Sequence, residues 1–274
     1  MQLQSMQPFG AEVSEVDLRR PTPEDAAALI GLFEHHGLLV VREQELDADA
    51  HAAATEIFGP VFDERGTGAR TTYVSNVRGD SVAPGGPSPF HQDASFLRDP
   101  FPAISLHAVR ADEGAAATCF ASNADAYDAL PEDLRERADR YSALHEFSAE
   151  LRQANGPGDD DPAVRATVHP VVMRDGERPY LFVNPVHTKR IVELDEAESG
   201  ALQASLEAVI FDDANVVEHW WRTGDFVIWD NKRVQHGRTE GAPDAVRDLS
   251  RTVVGSAATA EQYRAFMRWY RPAS

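Results

Sequence analysis

In the stretch PSPFHQDASF, residues 87–96, a histidine and a carboxylate stand two positions apart. Side chains of an extended segment alternate faces, so His91 and Asp93 can point one way while Gln92 points out. One imidazole and one carboxylate on the same side supply two arms of a metal site. His236, in WDNKRVQHGRT, is the candidate third arm. Two histidines and a carboxylate take three adjacent corners of an octahedron and leave three open, the facial arrangement that holds non-haem iron(II). By itself an H-x-D pair is a weak, short motif, and an ordinary polar loop is its far commoner explanation.

Two arginines downstream raise the stakes. Arg247 and Arg251 follow His236 by 11 and 15 positions, within VRDLSRTVV. On a strand, residues 247, 249, 251 and 253 share one face, and the two guanidinium groups start about 13 Å apart along it. Paired arginines in an acidic protein are usually a salt-bridged surface. Here they share a face with Leu249 and Val253, which argues for an inward side. Buried arginines need anions, and two could hold a cosubstrate carboxylate and an acidic substrate.

The elements that must carry these residues are legible in outline. PTPEDAAALIGLFEHHG predicts a helix capped by Thr22, with Pro23 in its first turn and Gly37 as its stop. Residues 38–41 then read as a buried strand, 47–58 as a second helix, and 71–77 and 103–109 as strands. Helix returns over 122–139. VHPVVMRDGERPYLFVNP predicts a hairpin about Asp175-Gly176, and Asp195 with Glu198 predicts a capped helix over 196–209. Short strands then alternate with turns in NVVEHWW, GDFVIWDN and SRTVVGS. The expected class is mainly β with flanking helices, a sandwich or jelly roll. The chain shows no repeat or linker, so 1–274 reads as a single domain. Residues 78–89 and 152–163, rich in Gly, Pro and charge, are expected to be mobile loops or lids.

Composition narrows the function classes. With 26 basic and 45 acidic side chains the net charge is −19, which argues against nucleic acid or an anionic membrane as partner. The one cysteine, Cys119, permits no internal disulfide and suits a reducing compartment; a small buried hydrophobe is its expected role. No run approaches the roughly 18 apolar residues of a membrane span, and the first residues lack a secretory signal pattern. A cytoplasmic protein acting on a small molecule is expected, and a homo-oligomer is compatible with the sequence.

At this point the chain resembles a known family, the taurine dioxygenase and 2,4-dichlorophenoxyacetate dioxygenase family of Fe(II)/2-oxoglutarate-dependent enzymes. PFGAEVSEVDL, EHHGLLVVREQELDADAHAAATEIFGP, FHQDASFLRDPFPAISLHAV, HPVV…YLFVNPVHTKRI and GDFVIWDNKRVQHGRT carry the resemblance across nearly the whole chain. It implies a double-stranded β-helix in which His91, Asp93 and His236 bind iron. Thr118 and Arg247 would hold the distal carboxylate of 2-oxoglutarate, and O2 would be the oxidant. Arg251 matches the position that grips a substrate's acid group, and Tyr73, Ser75 and Asn76 lie on the strand bordering the substrate pocket. The family often has Trp before the first ligand; Phe90 stands there, so substrate contacts near it should differ. Because Asp93 is retained, halogenation is not expected.

The implied reaction is hydroxylation of an unactivated C–H bond in a small anionic substrate, a sulfonate, carboxylate or amino-acid-like compound, with release of succinate and CO2. A tailoring oxygenase giving desaturation, cyclisation or oxidative decarboxylation is the alternative within the class. Outside it stand a zinc hydrolase using the same His/Asp/His set and a non-catalytic jelly-roll binding protein. Of the other histidines, His107, His145, His169 and His219 are expected to be satisfied polar residues, and His187 a structural one within reach of the pocket. Trp220, Trp221 and Trp229 are expected inside the sandwich.

Overall fold

The computed structural model describes residues 1–83, 85–147, 165–175 and 178–270. Residues 152–163, one of the two expected lids, and the tip of the 175–176 turn lie outside them. Two sheets dominate. The larger runs in the order β1 (Gln2–Ser5), β2 (Ala11–Ser14), β3 (Leu38–Val41), β14 (Phe226–Asp230), β6 (Ala103–Ala111), β16 (Arg247–Val254) and β4 (Thr72–Ser75). The smaller runs β13 (Val216–His219), β7 (Thr118–Ser122), β15 (Val234–Arg238) and β5 (Ser88–His91). Smaller pieces are the hairpin of β10 (Val172–Met173) and β11 (Tyr180–Leu181), and a sheet of β12 (Thr188–Ile191), β8 (Ser142–Glu146) and β9 (Ala166–Pro170).

Alternation along the strands builds three apolar layers. In β14, Val227 and Trp229 face the small sheet while Phe226 and Ile228 face the other way; in β3, Val40 and Leu38 pair against Leu39 and Val41 likewise. The first set meets Phe120, Val217 and Val234 of the small sheet and forms the core between the sheets. The second set is covered by α1 (Pro23–His36) and α2 (Ala48–Thr55). On the outer face of the small sheet, Ala121 and Val183 pack under Leu202, Leu206 and Ile210 of α5 (Glu196–Ile210), with Tyr127 and Leu134 of α3 (Asn123–Ala129) and α4 (Glu132–Ala138). This is the jelly roll with flanking helices that the sequence predicts.

Local signals explain most boundaries. Thr22 Oγ1 accepts from the Asp25 N–H at 3.1 Å, the Asp25 carboxylate accepts from the Thr22 N–H at 3.1 Å, and Gly37 closes α1 at φ 68°. The predicted helix over 122–139 is instead two, because Pro131 offers no N–H and biases Leu130 to the extended backbone it adopts (ψ 134°). Trp221 and Trp229 are buried as expected, but Trp220 is 54 % exposed. It follows His219, the last residue of β13, and His219 and Trp221 on either side of it point in, so continued period-2 alternation turns Trp220 out.

Candidate metal centre

Strand register brings the two histidines together. β5 pairs with β15 so that His91 stands directly opposite His236, with ring centroids 4.3 Å apart. The ladder slips between His236 and Arg238, and Gly237 sits at the slip. A Cβ there would come within 3.0 Å of the Ser88 carbonyl and 3.3 Å of the Phe90 nitrogen, so glycine is what allows this approach. The chain then leaves β5, and Ala94 takes a left-handed backbone (φ 58°) directly after Asp93. Asn231 holds that turn: its Oδ1 accepts from the Asp93 N–H at 2.9 Å and its Nδ2 donates to the Asp93 carbonyl at 2.9 Å.

Donor atoms of His91, Asp93 and His236 all lie within 4.8 Å of one another. Oδ1 of Asp93 faces His91 Nε2 at 3.1 Å and His236 Nε2 at 4.0 Å, while Oδ2 accepts from Arg251 Nη2 at 2.7 Å. Burial pushes the Asp93 carboxyl up, but the Arg251 charge and the His91 hydrogen bond outweigh it and hold it well below the usual range. Burial likewise pulls His91 down, and its bond to Asp93 more than reverses that. His91 Nδ1 lies 2.9 Å from the Pro89 carbonyl, a contact in which the ring N–H donates and Nε2 is left for the shared centre.

His236 tests whether a metal fits. Its Nδ1 is buried without a partner among the described residues, and burial with the neighbouring His91 pushes its pKa down to about 3. An unpartnered Nδ1 is shared with His107 and His145, but those two and His169 each bond a backbone carbonyl through Nε2. His219 Nε2 lies 3.1 Å from Asp225, whereas Nε2 of His236 faces only the Asp93 carboxylate among the described residues, at 4.0 Å. A neutral imidazole kept beside a second imidazole and an ionised carboxylate, without a structural bond of its own, is a ligand set for a divalent cation. The residues fit iron(II).

Along β16, Leu249 and Val253 enter the core between the sheets, and both arginines share their side. Arg247 donates from Nε to the Ala116 carbonyl at 3.1 Å and from Nη2 to Thr118 Oγ1 at 2.9 Å. Trp221 Nε1 also donates to that hydroxyl, at 3.0 Å. Arg247 is 5 % exposed, and no carboxylate pairs with it among the described residues. Burial and the nearby Arg238 charge push it down to about 9. A cavity of about 260 Å³ opens beside it, with Asn76, Ala116 and Arg238 in its wall; the triad is not part of that wall. Arg238 in turn donates to the carbonyls of Ala83, Gly85 and Gly86, so the expected mobile loop over 78–89 is tied to β15.

Other predicted residues are placed differently. Arg251 is not an open cation: Nη1 pairs with Glu64 and Nη2 with Asp93. Tyr73 stands opposite Ser250 in the ladder, on the face of the large sheet turned from Arg251, and carries the Arg78 guanidinium 3.8 Å over its ring. Ser75 is buried opposite Asp248 on that same outer face. The Asn76 amide is taken up by backbone, donating to the Ala245 carbonyl and accepting from the Arg247 N–H. Phe90 stacks on Phe211 at 4.7 Å, on the helical side of the small sheet. Gln92 does turn away from the triad, but it is wholly buried, donating to the Lys232 carbonyl. His187 is buried between Phe96 and Phe147, and burial with the His91 charge pushes it down to about 4. Glu64, Asn231 and Tyr263 were not singled out by sequence; a lone acid, amide or phenol far along the chain from the motif carries no spacing signal.

A jelly roll with two histidines on paired strands of the small sheet, and a carboxylate in the turn just after one of them, defines a non-haem metal oxygenase architecture. The chain matches the family model described as "Taurine catabolism dioxygenase TauD, TfdA family" over residues 2–253. It is 28 % identical to the alpha-ketoglutarate-dependent 2,4-dichlorophenoxyacetate dioxygenase of Cupriavidus pinatubonensis, over 89 % of this chain and 93 % of that one. It is 27 % identical to an alkylsulfatase of Acinetobacter baylyi, over 92 % and 84 %. Among solved structures, a taurine dioxygenase from Burkholderia xenovorans superposes with a TM-score of 0.77 at 24 % identity, covering 94 % of this chain and 97 % of that one. AAD-2, solved with Mn(II) and N-oxalylglycine, superposes at 0.80 and 23 % identity, covering 93 % and 98 %. The chain belongs to the TauD, TfdA family. It is an Fe(II)- and 2-oxoglutarate-dependent dioxygenase that uses O2 on a small-molecule substrate. No helix among the described residues is long and apolar enough to cross a membrane.

Proposed function

We propose that His91, Asp93 and His236 hold the iron, that Thr118 and Arg247 hold the distal carboxylate of 2-oxoglutarate, and that Arg251 stands at the substrate side. The observation that carries this reading is Arg247, a buried guanidinium without a carboxylate partner among the described residues, on the same inward face as the Arg251 that grips Asp93. A buried cation calls for an anion, and a dicarboxylic cosubstrate supplies one. Relatives named for a phenoxyacetate and an alkylsulfate support a substrate that carries an acid group.

Bound iron and 2-oxoglutarate supply oxidative decarboxylation coupled to oxidation of a substrate C–H bond, hydroxylation being the default outcome, with succinate and CO2 released. The chain's part is placement. Thr118 Oγ1 accepts from both Arg247 and Trp221, which fills its two lone-pair directions and leaves its O–H to donate to a carboxylate. Arg251 holds one Asp93 oxygen so that the other faces the histidines. Tyr263, within electrostatic reach of Arg251, packs edge to face against Phe62 and Phe101, and these buried rings help to keep bulk water from its side of the core.

The chain further reads as one dioxygenase domain over 1–274 acting in the cytoplasm; its charge of −19 supports a small-molecule partner over nucleic acid or an anionic membrane. The test is His91→Ala, with iron content and succinate release measured under air against a panel of sulfonates, carboxylates and amino acids. Loss of both supports the assignment. Retained succinate release would remove His91 from the metal site.

A further inference from the structure

Glu64 lies in the loop after the second helix, is 6 % exposed, and accepts from Thr72 Oγ1 at 3.2 Å. Its Oε2 also pairs with Nη1 of Arg251, whose Nη2 holds Asp93. Oε1 of Glu64 has no partner among the described residues. Thr72 stands opposite Arg251 in the β4–β16 ladder, so both meet Glu64 from the inner face of the large sheet. Tyr263, from α6 (Ala257–Tyr270), lies within electrostatic reach of Glu64, Arg251 and Asp93.

This arrangement bears on the substrate. An unpaired Arg251 would be an open seat for any small acid. Here a carboxylate already sits against it, so a simple acid approaching the guanidinium meets a compensated cation and a like charge beside it. A guanidinium has five N–H donors, and Glu64 and Asp93 draw on one each in this structure, so donors remain for a further acid group. Glu64 in turn offers an acceptor to a positive or N–H-bearing group. The complement of a cation and an anion held side by side is a molecule carrying both.

We propose that Glu64 is a specificity-determining residue: with Arg251 it forms a dipolar seat that selects substrates bearing an amino or ammonium group beside their acid over simple acids of the same length. This rests on the reading above that Arg251 stands at the substrate side.

The test uses whole protein loaded with Mn(II) and 2-oxoglutarate, titrated calorimetrically with 4-aminobutanoate and butanoate, in wild type, Glu64→Gln and Glu64→Asp. Wild type is expected to favour 4-aminobutanoate by about tenfold or more. Glu64→Gln should lose that preference and gain affinity for butanoate, Glu64→Asp should keep part of it, and the affinity for 2-oxoglutarate should stay the same in all three. The same ratio in wild type and Glu64→Gln would overturn the proposal, as would failure of either ligand to bind any of the three proteins. Gain of butanoate by Glu64→Gln while wild type takes neither would overturn the substrate class. Should Glu64→Gln not fold, a preference for butanoate in Glu64→Asp equal to or above that for 4-aminobutanoate overturns it. Failure of wild type to bind 2-oxoglutarate at all would strike the functional reading itself, whereas normal 2-oxoglutarate binding with an unchanged ratio strikes Glu64 alone.

Discussion

Arg247 and Thr118 meet across the two sheets, Nη2 to Oγ1 at 2.9 Å, although 129 positions separate them in sequence. The contact joins the inner face of β16 to the start of β7, where Thr118 stands opposite Arg238, two residues along β15 from His236. Each hydrogen bond to a charged group contributes about 1.5–3 kcal/mol. Arg247→Ala is therefore expected to raise the KM for 2-oxoglutarate by about 100-fold, from roughly 3 kcal/mol of lost binding. Thr118→Val removes a single neutral donor and should raise it about tenfold. Steady-state kinetics with 2-oxoglutarate varied reads both; a larger effect on the organic substrate's KM than on that of 2-oxoglutarate would contradict the roles.

Arg251 ties together two carboxylates that would otherwise share a buried site. Burial works against its charge, but Glu64 and Asp93 outweigh that and hold the guanidinium more firmly protonated than usual. Arg251→Met is expected to lower stability by about 3 kcal/mol, because it leaves two uncompensated buried acids. Adding Glu64→Gln to Arg251→Met should restore part of the loss. Urea unfolding of the metal-free single and double variants measures this; strictly additive effects would mean the two residues do not interact.

Acid should destabilise the fold through histidines remote from the metal. His145 donates its Nε2–H to the Phe182 carbonyl at 3.1 Å, and burial first, then His169, push its pKa down to about 3. In the unfolded chain it titrates near 6.5. Below that pH the unfolded state binds a proton that the folded state refuses, so stability falls as pH drops from about 6.5 toward 3. Between pH 6.5 and 5 the loss is roughly 1.6 kcal/mol for this one residue. His145→Gln should flatten that slope by close to one proton in urea melts at several pH values.

The sequence carried the strand alternation and the ligand set because both are periodic or closely spaced. The H-x-D pair closes a single strand, and the 11-residue step from His236 to Arg247 links β15 and β16, which are consecutive in sequence although they lie in different sheets. The substrate side did not yield to the same reasoning. Tyr73 lies on the right strand but on its outer face, a parity that depends on the β4–β16 register. Glu64 became visible only once the loop after the second helix was seen to fold back on Arg251. Pro131 was in plain view, and its effect on the preceding residue was enough to split the helix predicted over 122–139.

Gly237 is where the metal centre depends on backbone rather than side chain. It lies between His236 and Arg238 on β15, facing the β5 backbone so closely that a Cβ would reach 3.0 Å from the Ser88 carbonyl. Neither that carbonyl nor the Phe90 nitrogen is a flexible side chain, so Gly237→Ala must push β5 away from β15. His91 ends β5 and has its partner on β15, so the shift falls on the His91–His236 separation, now 4.3 Å between ring centroids. The expected outcome is a loss of iron affinity of tenfold or more, about 1.4 kcal/mol at the metal, with the overall fold retained. Equilibrium dialysis against Fe(II) under anaerobic conditions, alongside circular dichroism, separates the two effects. Unchanged affinity would mean that β5 can absorb the methyl group without moving His91.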